Sequence, residues 1–124
     1  MCLTQNSLFK ISKMFFSFSL TNNIILLNKS NELSSLIKSN PQVVVDFFAK
    51  WCGPCRKLTP QLESLVNKKQ NIKLVKVDVD KHVPLVKEFK IKSLPTVFLF
   101  KNGKKEFSFV GIGAENLKNL NNKL

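Results

Sequence analysis

The stretch that most constrains this chain is residues 43–48, VVVDFF, with Pro41 before it and Cys52-Gly53-Pro54-Cys55 after it. Apart from Asp46, every residue in that run is β-branched or aromatic. A run so continuously apolar predicts a central strand covered on both faces. Pro54 suits the first turn of a helix, where the N–H that proline lacks has no partner to lose. Leu58, Leu62, Leu65 and Val66 continue that helix at the expected spacing, and Pro60 inside it predicts a kink. A buried strand that feeds a helix through a short turn commits the chain to an α/β arrangement.

The flanking sequence extends this pattern. Residues 24–27 read as a short buried strand. Ser30 is placed to cap a helix carrying Leu33, Leu36 and Ile37, which Asn40-Pro41 ends. Residues 72–77 alternate apolar residues with lysine and read as a strand. Residues 82–89 read as a short helix with Val83, Val86 and Phe89 inward and His82 on the surface at its start. Residues 95–100 form another strand, Asn102-Gly103 a tight hairpin turn, and residues 106–110 the returning strand. A last helix carries Leu117, Leu120 and Leu124 on one face. The order βαβαβαββα predicts a mixed sheet of about five strands with four helices on its two faces.

Composition narrows the function. A length of 124 residues fits one domain, and a hydrophobic share of 44% is that of an ordinary globular core. No apolar run reaches the length of a membrane-spanning helix, so no membrane insertion is expected. Three cysteines are too few, and odd in number, for a disulfide-stapled scaffold. Lys and Arg total 20 against 8 Asp and Glu, a net charge of +12. All but Arg56 are lysines, and they are scattered, with Lys68-Lys69 and Lys104-Lys105 among the densest groups. Base reading favours arginine, so no nucleic-acid partner is expected. The charge reads as a solubilising surface that attracts acidic proteins weakly.

Residues 1–21 differ from the rest. They hold Lys10, Lys13, serines and phenylalanines, and the first acid of the chain is Glu32. An acid-poor, Ser-rich, basic segment predicts an N-terminal extension of the mitochondrial transit type, ahead of a domain at residues 22–124. A secretory signal fits less well, because the apolar stretch is short and broken by serine. A plain tail on a cytoplasmic protein is the third option.

The cysteine pair carries the chemistry. Cys52 and Cys55 stand one helical turn apart at a helix start, which brings both sulfurs to one side, close enough to bond. Free N–H groups and the positive dipole end favour an anion there. Cys52, at the terminus, is thus the sulfur poised to attack, and Cys55, one turn in, the sulfur that resolves. Zinc would need four ligands, and only Cys2 and His82 remain to join the pair. Haem attachment needs His directly after the second cysteine, where Arg56 stands. A purely structural bridge over one turn would constrain little of the unfolded chain. Redox chemistry is the reading that remains.

The segment VVVDFFAKWCGPCRKLTP resembles the active-site segment of thioredoxins. KVDVD at 76–80, LPTVFLFKNG at 94–103 and VGIGA at 110–114 continue the resemblance across residues 22–124. It implies the thioredoxin fold and a protein-disulfide reductase acting by dithiol–disulfide exchange, which contributes to cell redox homeostasis. Cys52 would be the nucleophile, Cys55 the resolving cysteine, and Cys52–Cys55 the redox-active disulfide. Asp46 would be a buried proton acceptor behind Cys55, with Lys76 modulating it. An acid buried in such a strand has its pKa raised and can exchange a proton near neutral pH, whereas one facing solvent cannot. Pro95 would be a cis proline opposite the disulfide. Trp51, Gly53, Pro54, Gly111 and Ile112 would form an apolar rim for target proteins.

The same resemblance implies no bound cofactor or metal. Electrons would come from NADPH through a flavin-containing thioredoxin reductase, and pass to disulfide-containing targets such as peroxiredoxins. A monomer is expected. A leader ahead of the module resembles the arrangement of mitochondrial thioredoxins. Two other functions stay open: a binding module in which the thiols are incidental, and an oxidase or isomerase of the secretory pathway. Gly53-Pro54 between the cysteines resembles the reductases, since isomerases usually carry Gly-His.

Overall fold

The computed structural model describes residues 23–124; the leader expected at residues 1–21 lies outside the described residues. The elements run β1 (Ile24–Leu26), α1 (Glu32–Ser39), β2 (Gln42–Phe48), α2 (Gly53–Asn67), β3 (Ile72–Asp78), α3 (Val83–Glu88), β4 (Thr96–Lys101), β5 (Lys104–Val110) and α4 (Ala114–Lys123). The strands form one five-stranded sheet in the order β1-β3-β2-β4-β5. β1, β3 and β2 are parallel, and β4 and β5 are antiparallel additions. β2 is central, with Asp46 opposite Lys76 of β3 on one side and Val97 of β4 on the other.

Successive strand residues face opposite ways, so β2 supplies two layers. Val43, Val45 and Phe47 pack with Leu33 and Ile37 of α1, Leu85 of α3, and Phe98 and Phe100 of β4. Val44 packs with Leu58, Leu62 and Val66 of α2 and Leu120 of α4. Each of these side chains contributes about 1.5–3 kcal/mol by leaving water. The hairpin turn places Asn102 at φ 52° and Gly103 at φ 84°, both in the left-handed region that a two-residue turn between twisted strands needs.

Four local expectations are corrected. β1 is an edge strand paired only with β3, and Leu26 is 59% exposed; the apolar run covers the sheet edge rather than its centre. Ser30 does not cap α1, whose N-cap position is Asn31 with no side-chain bond. Instead, Ser30 Oγ lies 2.8 Å from His82 Nδ1. His82, expected on the surface, is only 3% exposed, and its Nε2 sits 3.0 Å from the carbonyl oxygen of Leu27. The ring ties the entry of α3 to the chain between β1 and α1, so contacts distant in sequence bury it. α3 accordingly turns Leu85 inward and leaves Val83 exposed.

Candidate active site

β2 ends at Phe48, whose carbonyl oxygen accepts from Val79 N–H at 2.9 Å. The chain then turns through Ala49, whose carbonyl accepts from Cys52 N–H at 3.1 Å. Cys52 takes the N-cap position of α2 in extended conformation, and Pro54 lies in the first turn. Cys52 Sγ accepts from the backbone N–H of Cys55 at 3.2 Å. An amide dipole and the positive end of a helix therefore already point at the sulfur that would carry negative charge once reduced.

Cys52 and Cys55 are joined in a disulfide, with their Cα atoms 5.3 Å apart. Both sulfur residues are nearly covered, Cys52 at 5% and Cys55 at 1% exposure. Cys52 is the more reachable of the two, at the side of a groove lined by Trp51, Gly53, Pro54, Val79, Ile91 and Leu94. Trp51 is not a core residue. It is 69% exposed, and its Nε1–H donates to Asp80 Oδ2 at 3.0 Å. Asp80 is steadied in turn by its own N–H donating to Asp78 Oδ1 at 3.0 Å. The indole is pinned by its edge with its apolar body in solvent.

Beyond the groove, the Leu94–Pro95 peptide bond is cis. The Pro95 carbonyl accepts from Gly111 N–H at 2.9 Å. Gly111 has φ 93°, a conformation that a side chain would strain, and Ile112 beside it is exposed. Trp51, Gly53 and Pro54 thus share the wall of the groove with Cys52. Gly111 is tied to Pro95 by that hydrogen bond, and Pro95, Gly111 and Ile112 are not among the residues that line the groove.

The acid of the central strand lies against Thr59, one helical turn past Cys55. Asp46 has no solvent-exposed surface. Thr59 Oγ1–H donates to Asp46 Oδ2 at 2.9 Å, while Oδ1 is buried with no hydrogen-bond partner. Burial pushes the carboxyl up from 3.8 to about 6; the Thr59 hydroxyl and the Lys76 charge hold it down, and the Glu63 charge adds slightly to the rise. Lys76 Nζ does not bond Asp46. It pairs with Glu63 Oε2 at 3.0 Å and reaches the acid only through its field. A second opening, on the far side of the helix start, is walled by Phe48, Cys55, Thr59, Pro60, Glu63 and Lys76 among others. It brings solvent to the layer in which Cys55, Thr59 and Glu63 stand.

The sequence reading named Asp46 and Lys76 and missed Thr59, Glu63, Asp80 and Leu94. A signal existed for two of them: Cys55, Thr59 and Glu63 recur at spacing i, i+4, i+8 and so share one stripe of α2. Among the described residues no group of three or more His, Cys, Asp or Glu is placed to hold a metal ion. No helix among them is long and apolar enough to cross a membrane.

Comparison with known proteins adds to this geometry. The protein-family profile described as Thioredoxin matches residues 23–124. A thioredoxin of Mycoplasmoides gallisepticum is 43% identical over 91 residues, covering 73% of this chain and 90% of the relative. The mitochondrial thioredoxin of Mus musculus is 44% identical over 81 residues, covering 64% of this chain and 49% of that protein. The solved structure of mitochondrial thioredoxin 3 from Saccharomyces cerevisiae, in its oxidized form, is similar with a TM-score of 0.74 at 34% identity. That match covers 82% of this chain and 95% of the other.

Proposed function

The chain belongs to the thioredoxin family, and from that premise we propose which residues perform its exchange of thiols and disulfides. It is a thiol–disulfide oxidoreductase of the protein-disulfide reductase class. The observation that carries the assignment of roles is the sulfur of Cys52 at the N-cap of α2, bonded to Cys55 and facing the groove.

In the reduced protein, the Cys52 thiolate attacks one sulfur of a target disulfide. A bond forms between Cys52 and that sulfur, and the other target cysteine leaves as a thiolate. Cys55 then gives its proton to Asp46 and attacks Cys52 Sγ. The Cys52–target bond breaks, the second target sulfur leaves as a thiolate, and the Cys52–Cys55 disulfide remains. The target gains two electrons and the dithiol loses two. Asp46 suits the proton transfer because burial holds its carboxyl at about 6, within reach of neutral pH. Lys76 moderates that rise by its positive charge. Trp51, Gly53, Pro54, Pro95, Gly111 and Ile112 form the rim on which an extended target segment rests beside Cys52.

The family works without a bound cofactor. For this chain we assign the electron source to a thioredoxin reductase that uses NADPH, and the targets to disulfide-containing proteins such as peroxiredoxins. The place of action is the mitochondrion, supported by the acid-poor composition of residues 1–21 and by relatives that are mitochondrial thioredoxins. Residues 1–21 are then removed on import. The mature N-terminus isolated from cells tests this: loss of about the first 20 residues supports import, and an intact Met1 overturns it.

The roles of the two cysteines are tested together. Cys52→Ser abolishes reduction of a disulfide-bonded reporter protein. Cys55→Ser accumulates target proteins as mixed disulfides through Cys52, visible as adducts that a reductant dissolves. Full reporter activity in Cys52→Ser overturns the assignment.

A further inference from the structure

Thr59 follows Cys55 by one helical turn of α2 and walls the same opening. Among the described residues its hydroxyl donates to the Asp46 carboxyl, 2.9 Å from Oδ2, while Oδ1 is buried without a hydrogen-bond partner. We infer that Thr59 is a positioning residue for the resolving step: it clamps Asp46 by Oδ2 and leaves Oδ1 as the atom that takes the Cys55 proton. This rests on the assignment of Asp46 as proton acceptor.

The argument is one of bonding capacity. An ionised carboxylate is an acceptor only, with room for several donors. In this layer its other neighbours are apolar or already engaged. Val44 and Val97 offer nothing polar, and Lys76 and Glu63 are paired with each other. Without the hydroxyl, the carboxylate would keep the full cost of burial and could rotate between two equivalent oxygens. With it, one oxygen is fixed and the charged form is favoured, because an O–H donor bonds the anion more strongly than the neutral acid. During resolution the S–H bond of Cys55 breaks and an O–H bond forms at Oδ1. The electron pair stays on Cys55 Sγ and becomes the new bond to Cys52, while the bond from Cys52 to the target breaks. The neutral carboxyl then loses its proton to water through the opening walled by Thr59, Glu63 and Lys76, with Lys50 and Arg56 at its rim.

The test measures the rate at which a preformed mixed disulfide on Cys52 resolves, as a function of pH. Thr59→Val keeps the shape and removes the donor. Its midpoint moves to higher pH by on the order of one pH unit, the effect of losing a hydrogen bond to a charged group. Thr59→Ser restores the original midpoint, and the Asp46 carboxyl carbon followed by NMR titrates with the same displacement. A midpoint in Thr59→Val equal to that of the unaltered protein overturns the inference, as does a Thr59→Ser profile that matches Thr59→Val. Should Thr59→Val not fold, Thr59→Ala takes its place with the same two outcomes. Asp46→Asn separates this inference from its premise. If that variant keeps the inflection, Asp46 is not the acceptor and both fall; if it loses the inflection while Thr59→Val is unshifted, only the role of Thr59 falls.

Discussion

The two layers on either side of the central strand are made of different material. Toward α1 and α3, β2 contributes Phe47 to a cluster with Phe89, Phe98 and Phe100, whose ring centroids lie 5.3 to 6.3 Å apart. Toward α2 and α4, the same strand contributes Val44 to an almost wholly aliphatic layer, and two residues further on the buried carboxyl of Asp46. Tilted and edge-on aromatic pairs add attraction beyond the area they bury. An unpaired acid oxygen subtracts from stability in any dry layer. The aromatic attraction thus lies on one side of the sheet and the buried acid on the other, with the strand between them serving both.

The sharpest way to break that division is at Phe47. Phe47→Ala should lower unfolding free energy by about 3–5 kcal/mol, measured by denaturant titration. If the layers are separate in function, the folded variant keeps its disulfide reductase activity and the pH midpoint of resolution. A displaced midpoint would show that the aromatic layer reaches into the chemistry.

Asp46→Asn probes the other layer with a smaller effect of opposite sign. Burial raises the Asp46 carboxyl from 3.8 to about 6 in the folded protein, so the folded state holds the proton more tightly than the unfolded chain. The penalty is absent below pH 3.8, grows as pH rises, and is complete above about pH 6. That interval corresponds to about 3 kcal/mol. Asp46→Asn should therefore be the more stable protein at pH 8, by up to about that amount, and lose its advantage near pH 3.5 while resolving mixed disulfides more slowly throughout. Equal stability of the two proteins at pH 8 would mean that the acid is solvated.

The smallest expected effect lies outside both layers. Ser30→Ala removes the hydroxyl beside His82 Nδ1 and should cost about 1 kcal/mol, with reductase activity unchanged. A change in activity would show that the bond between the start of α3 and the β1–α1 connection reaches the groove.

The fold and the cysteine pair were legible because their signals are local. The apolar run ending at Phe48, the Pro54 of a first helical turn and the Asn102-Gly103 pair each act on neighbours in the chain. What lies around the pair was less legible. Thr59 and Glu63 are polar residues on a helix, which composition alone assigns to a wet face; only the closeness of α2 to the Asp46–Lys76 rung turns them inward. His82 fails as a surface reading for the same reason. Its partners, Ser30 and the carbonyl of Leu27, stand more than fifty residues earlier and meet it through the parallel pairing of β1 with β3. Leu26 errs in the other direction, since an apolar triplet does not reveal whether its strand will be an edge.

The position of Cys52 has a mechanical consequence. The residue stands one turn beyond the end of a strand laced to neighbours on both flanks along almost its entire length, so the sulfur is mounted on a braced base. A target cannot draw the nucleophile outward; it must bring its own disulfide down to a fixed anvil. If the groove is the docking surface proposed above, adjustment to differently shaped targets falls to the walls that Trp51, Ile91 and Leu94 supply.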